Sequence, residues 1–189
     1  MALDSIPQDV ALVLIDLQRG ITSLPTQPPA EEVVAKAAKL ADAFRAKQLP
    51  VVLVRVQPLS AGAPPTDVQP PPMKVDETFA QLRPELGAPD VDIVKPAWDA
   101  FVGTGLDLQL RRRGVKTLVL GGIRTAIGVE STARTAFILG YATLFLTDVM
   151  ADVDASLHER ALNAIFPRLG RRTTSDEVLS LLSARERER

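Results

Sequence analysis

No cysteine occurs among the 189 residues of this chain, and histidine occurs once, as His158. The first absence excludes disulfides, thiolate metal sites and thiol catalysis together. A single imidazole also excludes a multi-histidine zinc site within one chain, and neither a metal nor another cofactor is expected. Charge of one sign is missing too: 22 Lys and Arg against 23 Asp and Glu leave a net charge of -1. That balance gives no basic footprint for nucleic acid, and the arginine-rich stretches 111–113 and 185–189 read as solvated charge at helix ends. No apolar run approaches the ~20 residues needed to cross a bilayer. Residues 1–7 lack a basic region ahead of an apolar stretch. A cytoplasmic protein without membrane contact is expected.

What is present describes one globular domain over 1–184 followed by a charged tail over 185–189. A chain of this size buries roughly 70% of its unfolded surface. Short aliphatic runs at 10–16 (VALVLID) and 51–56 (VVLVRV) have the continuous β-branched character of buried parallel strands. Further strands are expected at 92–95, 117–120, 142–146 and 171–173. Between the first two, Val33, Val34, Ala37, Leu40, Ala41 and Phe44 recur at helical spacing, which predicts an amphipathic helix over 30–47. Helices also fit 106–113, 127–139, 156–166 and 175–184, the last with Ser175 as cap and Asp176 in its first turn. Alternating strands and helices specify an α/β/α sandwich around a mostly parallel, Rossmann-like sheet of about six strands. The stretch 57–72 is too rich in proline for a helix and too long for an ordinary connection, so it is expected to arch over a site.

Right-handed crossovers put ligand chemistry at the carboxyl ends of the strands, where three residues fall. Asp16 follows an unbroken apolar run; partial burial would raise its pKa and suit it to general acid or base work, and a turn aspartate is the plainer alternative. Lys95 closes the third strand run and could hold Asp16 ionised, or stand as an exposed strand-end lysine. Gly128 precedes a helix, where backbone amides favour an anion, or it serves close packing of helix on sheet. Trp98 and Phe101, three apart beside Lys95, would wall a ring-shaped pocket or belong to the core. Arg124 could bind a carboxylate bidentately or be a loop arginine, and Gln57 could bond a substrate oxygen or simply lie in a loop. Glu130 and Arg134 read as a structural ion pair or interface residues, Asp148 and Asp152 as caps, and His158 as a surface or satisfied structural residue.

Taken together and in chain order, these segments resemble the isochorismatase-like hydrolases. Asp-Leu-Gln-Arg-Gly at 16–20 is similar to the family's Asp-x-Gln segment, Lys-Pro-Ala-Trp-Asp-Ala-Phe at 95–101 to its lysine segment, and GVKTLVLGGIRTAIGVESTARTA at 114–136 to its most specific signature. The resemblance implies Asp16 and Lys95 as two members of an Asp-Lys-Cys triad, Gln18 and Gln57 among substrate contacts, and a cis peptide near Ile123-Arg124. The amides of Arg124 and Gly128 would then face one oxyanion. It departs from the amidases, because Gly128 occupies the nucleophile's position and no thioester can form there. The nicotinamidases' metal motif is also missing where this chain reads Arg55-Val56-Gln57-Pro58. The family's vinyl-ether hydrolases carry glycine at that position and Gln-Pro after the second strand, as here, and cleave isochorismate by protonation and hydration. The resemblance therefore implies a small carboxylate substrate, Asp16 as acid, Lys95 as electrostatic partner, and a homodimer or homotetramer. The alternative is a catalytically inert member that binds a metabolite or partner in the same pocket.

Overall fold

The computed structural model describes residues 5–57, 65–68 and 75–184. The greater part of the proline-rich stretch 57–72, and the tail 185–189, lie outside them. In chain order the elements are β1 (Val10–Ile15), α1 (Arg19–Thr22), α2 (Ala30–Ala46), β2 (Val51–Val56), β3 (Val91–Lys95), α3 (Leu106–Arg112) and β4 (Thr117–Ile123). A π-type turn (Thr125–Val129) leads into α4 (Glu130–Ile138), followed by β5 (Ala142–Ala151), α5 (Ala155–Arg160), a second π-type turn (Ala161–Ile165), α6 (Phe166–Leu169), β6 (Arg171–Thr173) and α7 (Ser175–Ala184). A short 3-10 turn, Pro84–Leu86, precedes β3.

All six strands are parallel and lie in the order β3-β2-β1-β4-β5-β6. The strand order reverses between the neighbours β1 and β4, which opens a crevice at their carboxyl ends. β1 is buried along its whole length. Its Val10, Leu12 and Leu14 enter one core with α2 and α7, while Ala11, Val13 and Ile15 enter the other with α3, α4 and α6. Period-two alternation between two apolar layers is why its sequence is continuously aliphatic. The expected sandwich and near-parallel sheet are present, and every strand pair described is parallel. Among the described residues, no helix is long and apolar enough to cross a membrane.

Several boundaries differ from the expectation. β4 runs on through Gly121 and Gly122 to Ile123, beyond the expected end at 120, and β5 extends to Ala151, beyond the expected end at 146. The two added segments pair with each other across an irregularity, Gly122 opposite Met150 and Ile123 opposite Ala151. Gly122 permits it: its φ is 133°, and a Cβ there would lie 2.1 Å from the Ile15 carbonyl oxygen of β1. The helix expected from 127 begins instead as the π-type turn, and the one expected from 156 passes through a second such turn before Phe166. Thr174, not Ser175, caps α7 by accepting the Glu177 amide, while Ser175 bonds Asp148 through both its amide and its hydroxyl.

Candidate active site

Where β1 ends, Asp16 turns into left-handed backbone (φ 53°), a region that aspartate enters more readily than most residues. Its amide donates to the Val54 carbonyl at 2.8 Å, which holds the turn against β2. The side chain is buried, with 5% of the residue exposed. Lys95 ends β3, two strands away at the sheet edge, a separation of about 10 Å at ordinary strand spacing. Its long side chain spans that gap, and Nζ lies 2.8 Å from Asp16 Oδ2. Nζ also donates to the carbonyls of Ala97 and Trp98, each at 3.0 Å. An ammonium has three N–H donors, so the three acceptors satisfy it. Lys95 therefore serves Asp16 and its own loop, and it has no donor left for a ligand in this arrangement.

Gly128 lies in the π-type turn beyond β4 and faces the same pair. A Cβ built there would stand 3.1 Å from Asp16 Oδ2 and 3.5 Å from Lys95 Nζ. The bare position leaves those two groups without a side chain between them and the turn. Burial pushes the Asp16 carboxyl up to about 6, against the opposing pull of Lys95. One oxygen of this carboxyl, Oδ1, is buried and accepts no hydrogen bond of good geometry from the described residues; the nearby Val56 amide, a weak restraint on the carboxyl, is directed to Gln18 Oε1 at 2.7 Å. A buried carboxyl whose second oxygen has no partner and whose pKa lies near neutrality is equipped to hold a proton and give it up.

The other singled-out residues separate into neighbours of this pair and parts of the frame. The Gln57 amide donates to the Lys95 carbonyl at 3.0 Å, which sets an exposed Gln57 at the same strand ends. Trp98 exposes 61% of its surface, while Phe101 is buried and stacks on Tyr141 at 5.7 Å between ring centroids. The two rings do not form one wall. Gln18, expected among the substrate contacts, is fully buried and spends its amide on backbone. It donates to the carbonyls of Val56 and Phe79 at 3.0 Å and accepts the Val56 amide at 2.7 Å. It ties the end of β2 and the segment around Phe79 to the Asp16 turn.

Arg124 is likewise engaged. The Ile123–Arg124 peptide is cis, and the Arg124 Nε donates to Asp152 Oδ1 at 2.8 Å. Asp152 is fully buried and also accepts the amides of Ala126 and Val153, at 2.9 and 2.8 Å. No sequence signal distinguished it from Asp148, because its burial arises only where β5 passes the β4 turn. Asp152→Asn replaces one of these acceptors by a donor and removes the charge facing Arg124. It is expected to cost about 2 kcal/mol, to be measured by urea denaturation. Glu130 pairs with Arg134 at 2.8 Å and Arg160 at 3.5 Å. His158 meets the buried Thr125 hydroxyl at 2.8 Å, and its pKa is pushed down by burial.

An acid-lysine pair at the carboxyl ends of parallel strands, beside the β1/β4 reversal, places the chain among α/β proteins with chemistry at the strand ends. The profile of the Isochorismatase domain matches residues 10–177. YecD of Escherichia coli O157:H7, an isochorismatase family protein, is 45% identical over 179 residues, 91% of this chain and 95% of its own. A solved isochorismatase family protein from Burkholderia thailandensis superposes with a TM-score of 0.87 at 42% identity, over 95% of this chain and 98% of that one. The ureidoacrylate amidohydrolase RutB of Variovorax paradoxus is similar over a shorter span, 35% identical across 85 residues, 45% of this chain and 33% of its own. The chain belongs to the isochorismatase family.

Proposed function

We propose that this protein is a cysteine-independent hydrolase that cleaves a small carboxylate-bearing vinyl ether, with isochorismate as the substrate that fits best. The observation that carries this reading is the unpartnered, buried Oδ1 of Asp16 on a carboxyl pushed up to about 6, beside a position 128 that has no side chain. Protonated Asp16 gives its proton to the terminal carbon of the vinyl ether, whose C=C electron pair forms the new C–H bond. The resulting cation is shared with the ether oxygen. Water adds to it and returns one proton to the Asp16 carboxylate; as the C–O bond of the hemiketal breaks, the proton of its hydroxyl passes to the ether oxygen, which releases pyruvate and the ring alcohol. Lys95, 2.8 Å away, steadies the carboxylate that each protonation leaves behind. Gln57 and the exposed ring of Trp98 are the substrate contacts of this reading, while Gln18, Phe101 and Arg124 shape the frame.

Amide hydrolysis, as in the name of RutB, would need a nucleophile that Gly128 and Val129 lack. The two chemistries predict opposite pH limbs. An acid on carbon must enter protonated, so kcat/KM for the vinyl ether is expected to fall as pH rises through about 6. A base activating a nucleophile would give a rise over the same interval.

The direct test is pyruvate release from isochorismate by the purified protein, followed with coupled lactate dehydrogenase. Turnover that declines above pH 6 supports the proposal. No pyruvate from isochorismate or other vinyl ethers, together with a melting temperature raised by small carboxylic acids, replaces it with an inert binding member. An assembly of two or four copies is part of the same proposal, supported by the exposed Phe137 and Ile138 of α4, and is checked by light scattering.

A further inference from the structure

The groups around Asp16 belong to two segments distant in sequence, the loop after β3 and the turn after β4. Lys95 is held by two carbonyls of that loop, Ala97 and Trp98, and Gly128 sits in that turn. One side chain joins them. Thr132, fully buried in the first turn of α4, donates its hydroxyl to the Gly128 carbonyl at 2.7 Å and accepts the Ala100 amide at 3.1 Å. The first bond is ordinary for a threonine in a helix, which commonly returns its hydroxyl to the carbonyl four residues back. The second is not local: it crosses 32 residues of sequence to the lysine loop.

We propose that Thr132 is a positioning residue that fixes the lysine loop and the Gly128 turn in one geometry around Asp16, and thereby sets how closely Lys95 acts on that carboxyl. Among the described residues Lys95 is the charged group that acts on Asp16, with a direct hydrogen bond. Its ammonium follows Ala97 and Trp98, so a loop freed at Ala100 draws Nζ away from Oδ2. The opposing pull on Asp16 then weakens, and the carboxyl holds its proton to higher pH. Thr135 gives the loop a second anchor by donating to Asp99 Oδ2 at 2.5 Å, so loss of the Thr132 hydroxyl loosens the loop without undocking it.

Thr132→Val keeps the shape and removes the hydroxyl, Thr132→Ala removes it should valine fail to fold, and Thr132→Ser restores it. The decisive readout is the titration of Asp16 by carbon NMR of protein labelled at aspartate, its resonance assigned by its loss in Asp16→Asn. In the valine and alanine variants the Asp16 midpoint is expected to rise by about half a pH unit or more, and in the serine variant to return to the wild-type value. Pyruvate release is expected to fall at least about tenfold in the first two and to recover in the third. A midpoint that stays put or falls in the valine and alanine variants, even with a lower melting temperature, makes Thr132 structural only and overturns the inference. The kinetic arm rests on the vinyl-ether reading; the titration does not. A protein that releases no pyruvate yet shows the Asp16 midpoint moving with Thr132 keeps this inference and loses that reading.

Discussion

Asp16→Asn is expected to lower kcat for pyruvate release by about 10²- to 10⁴-fold, the usual contribution of a positioned general acid. The substitution is nearly isosteric. The Asn carbonyl oxygen can take the place of Oδ2 and accept from Lys95, and its NH₂ takes the place of Oδ1, to which no described residue donates a hydrogen bond. The fold should therefore survive while the transferable proton is gone. Activity within about threefold of wild type, with a normal melting temperature, would sink the acid role of Asp16. The same variant reports on stability. Because the Asp16 carboxyl is raised from an ordinary 3.8 to about 6, the folded protein keeps a proton that the unfolded chain has already released. The stability this adds is complete below pH 3.8 and lost as pH rises through about 6. In Asp16→Asn that component of the pH dependence disappears, which thermal melts between pH 4 and 7 would show.

Lys95→Met is expected to destabilise the protein by about 3 kcal/mol, the lower end of the range for breaking a buried ion pair. Methionine fills the same volume but leaves Asp16 Oδ2 without its partner, and the Ala97 and Trp98 carbonyls without their donor. The loss stays at the lower end because the buried carboxyl answers by remaining protonated. The decline of kcat/KM therefore moves to a pH above 6, since the group that opposed burial is gone. The maximum rate falls as well, because the carboxylate formed by proton transfer has no cation beside it. Urea denaturation and a pH-rate profile on one preparation check both parts. Stability equal to wild type would show that the pair contributes nothing at this site.

How much of this was legible beforehand depends on whether a residue's role is local. β1 and β2 declare themselves because a parallel strand flanked by helices on both sides must be aliphatic at every position, as VALVLI and VVLVRV are. The helix Ala30–Ala46 shows its buried stripe at i, i+3 and i+4, and α7 spans the expected residues. The missed extensions of β4 and β5 are pairings of one strand end with another. Gly121-Gly122 looks like a turn until a neighbouring strand continues the ladder through it. Gln18 and Phe101 each admit two readings from the sequence for a related reason. A glutamine amide bonds substrate or backbone equally well, and an aromatic ring packs against ligand or core equally well. Only the surroundings assign the Gln18 amide to Val56 and Phe79, and the Phe101 ring to Tyr141.

By itself, the sequence determined the parallel α/β class, through the period and β-branching of its apolar runs, and it excluded thiol chemistry at position 128 by placing glycine there. Tertiary structure alone decided how Asp16, Lys95 and Gly128 meet, with Lys95 Nζ 2.8 Å from Asp16 Oδ2, that Asp16 Oδ1 has no hydrogen-bond partner among the described residues, and that Asp152 and Thr132 secure the turn beneath it. The physical reason is that burial and partnership belong to the order of strands across the sheet. Lys95 meets Asp16 because β3 and β1 flank β2 with their carboxyl ends level, and no spacing along the chain encodes that adjacency.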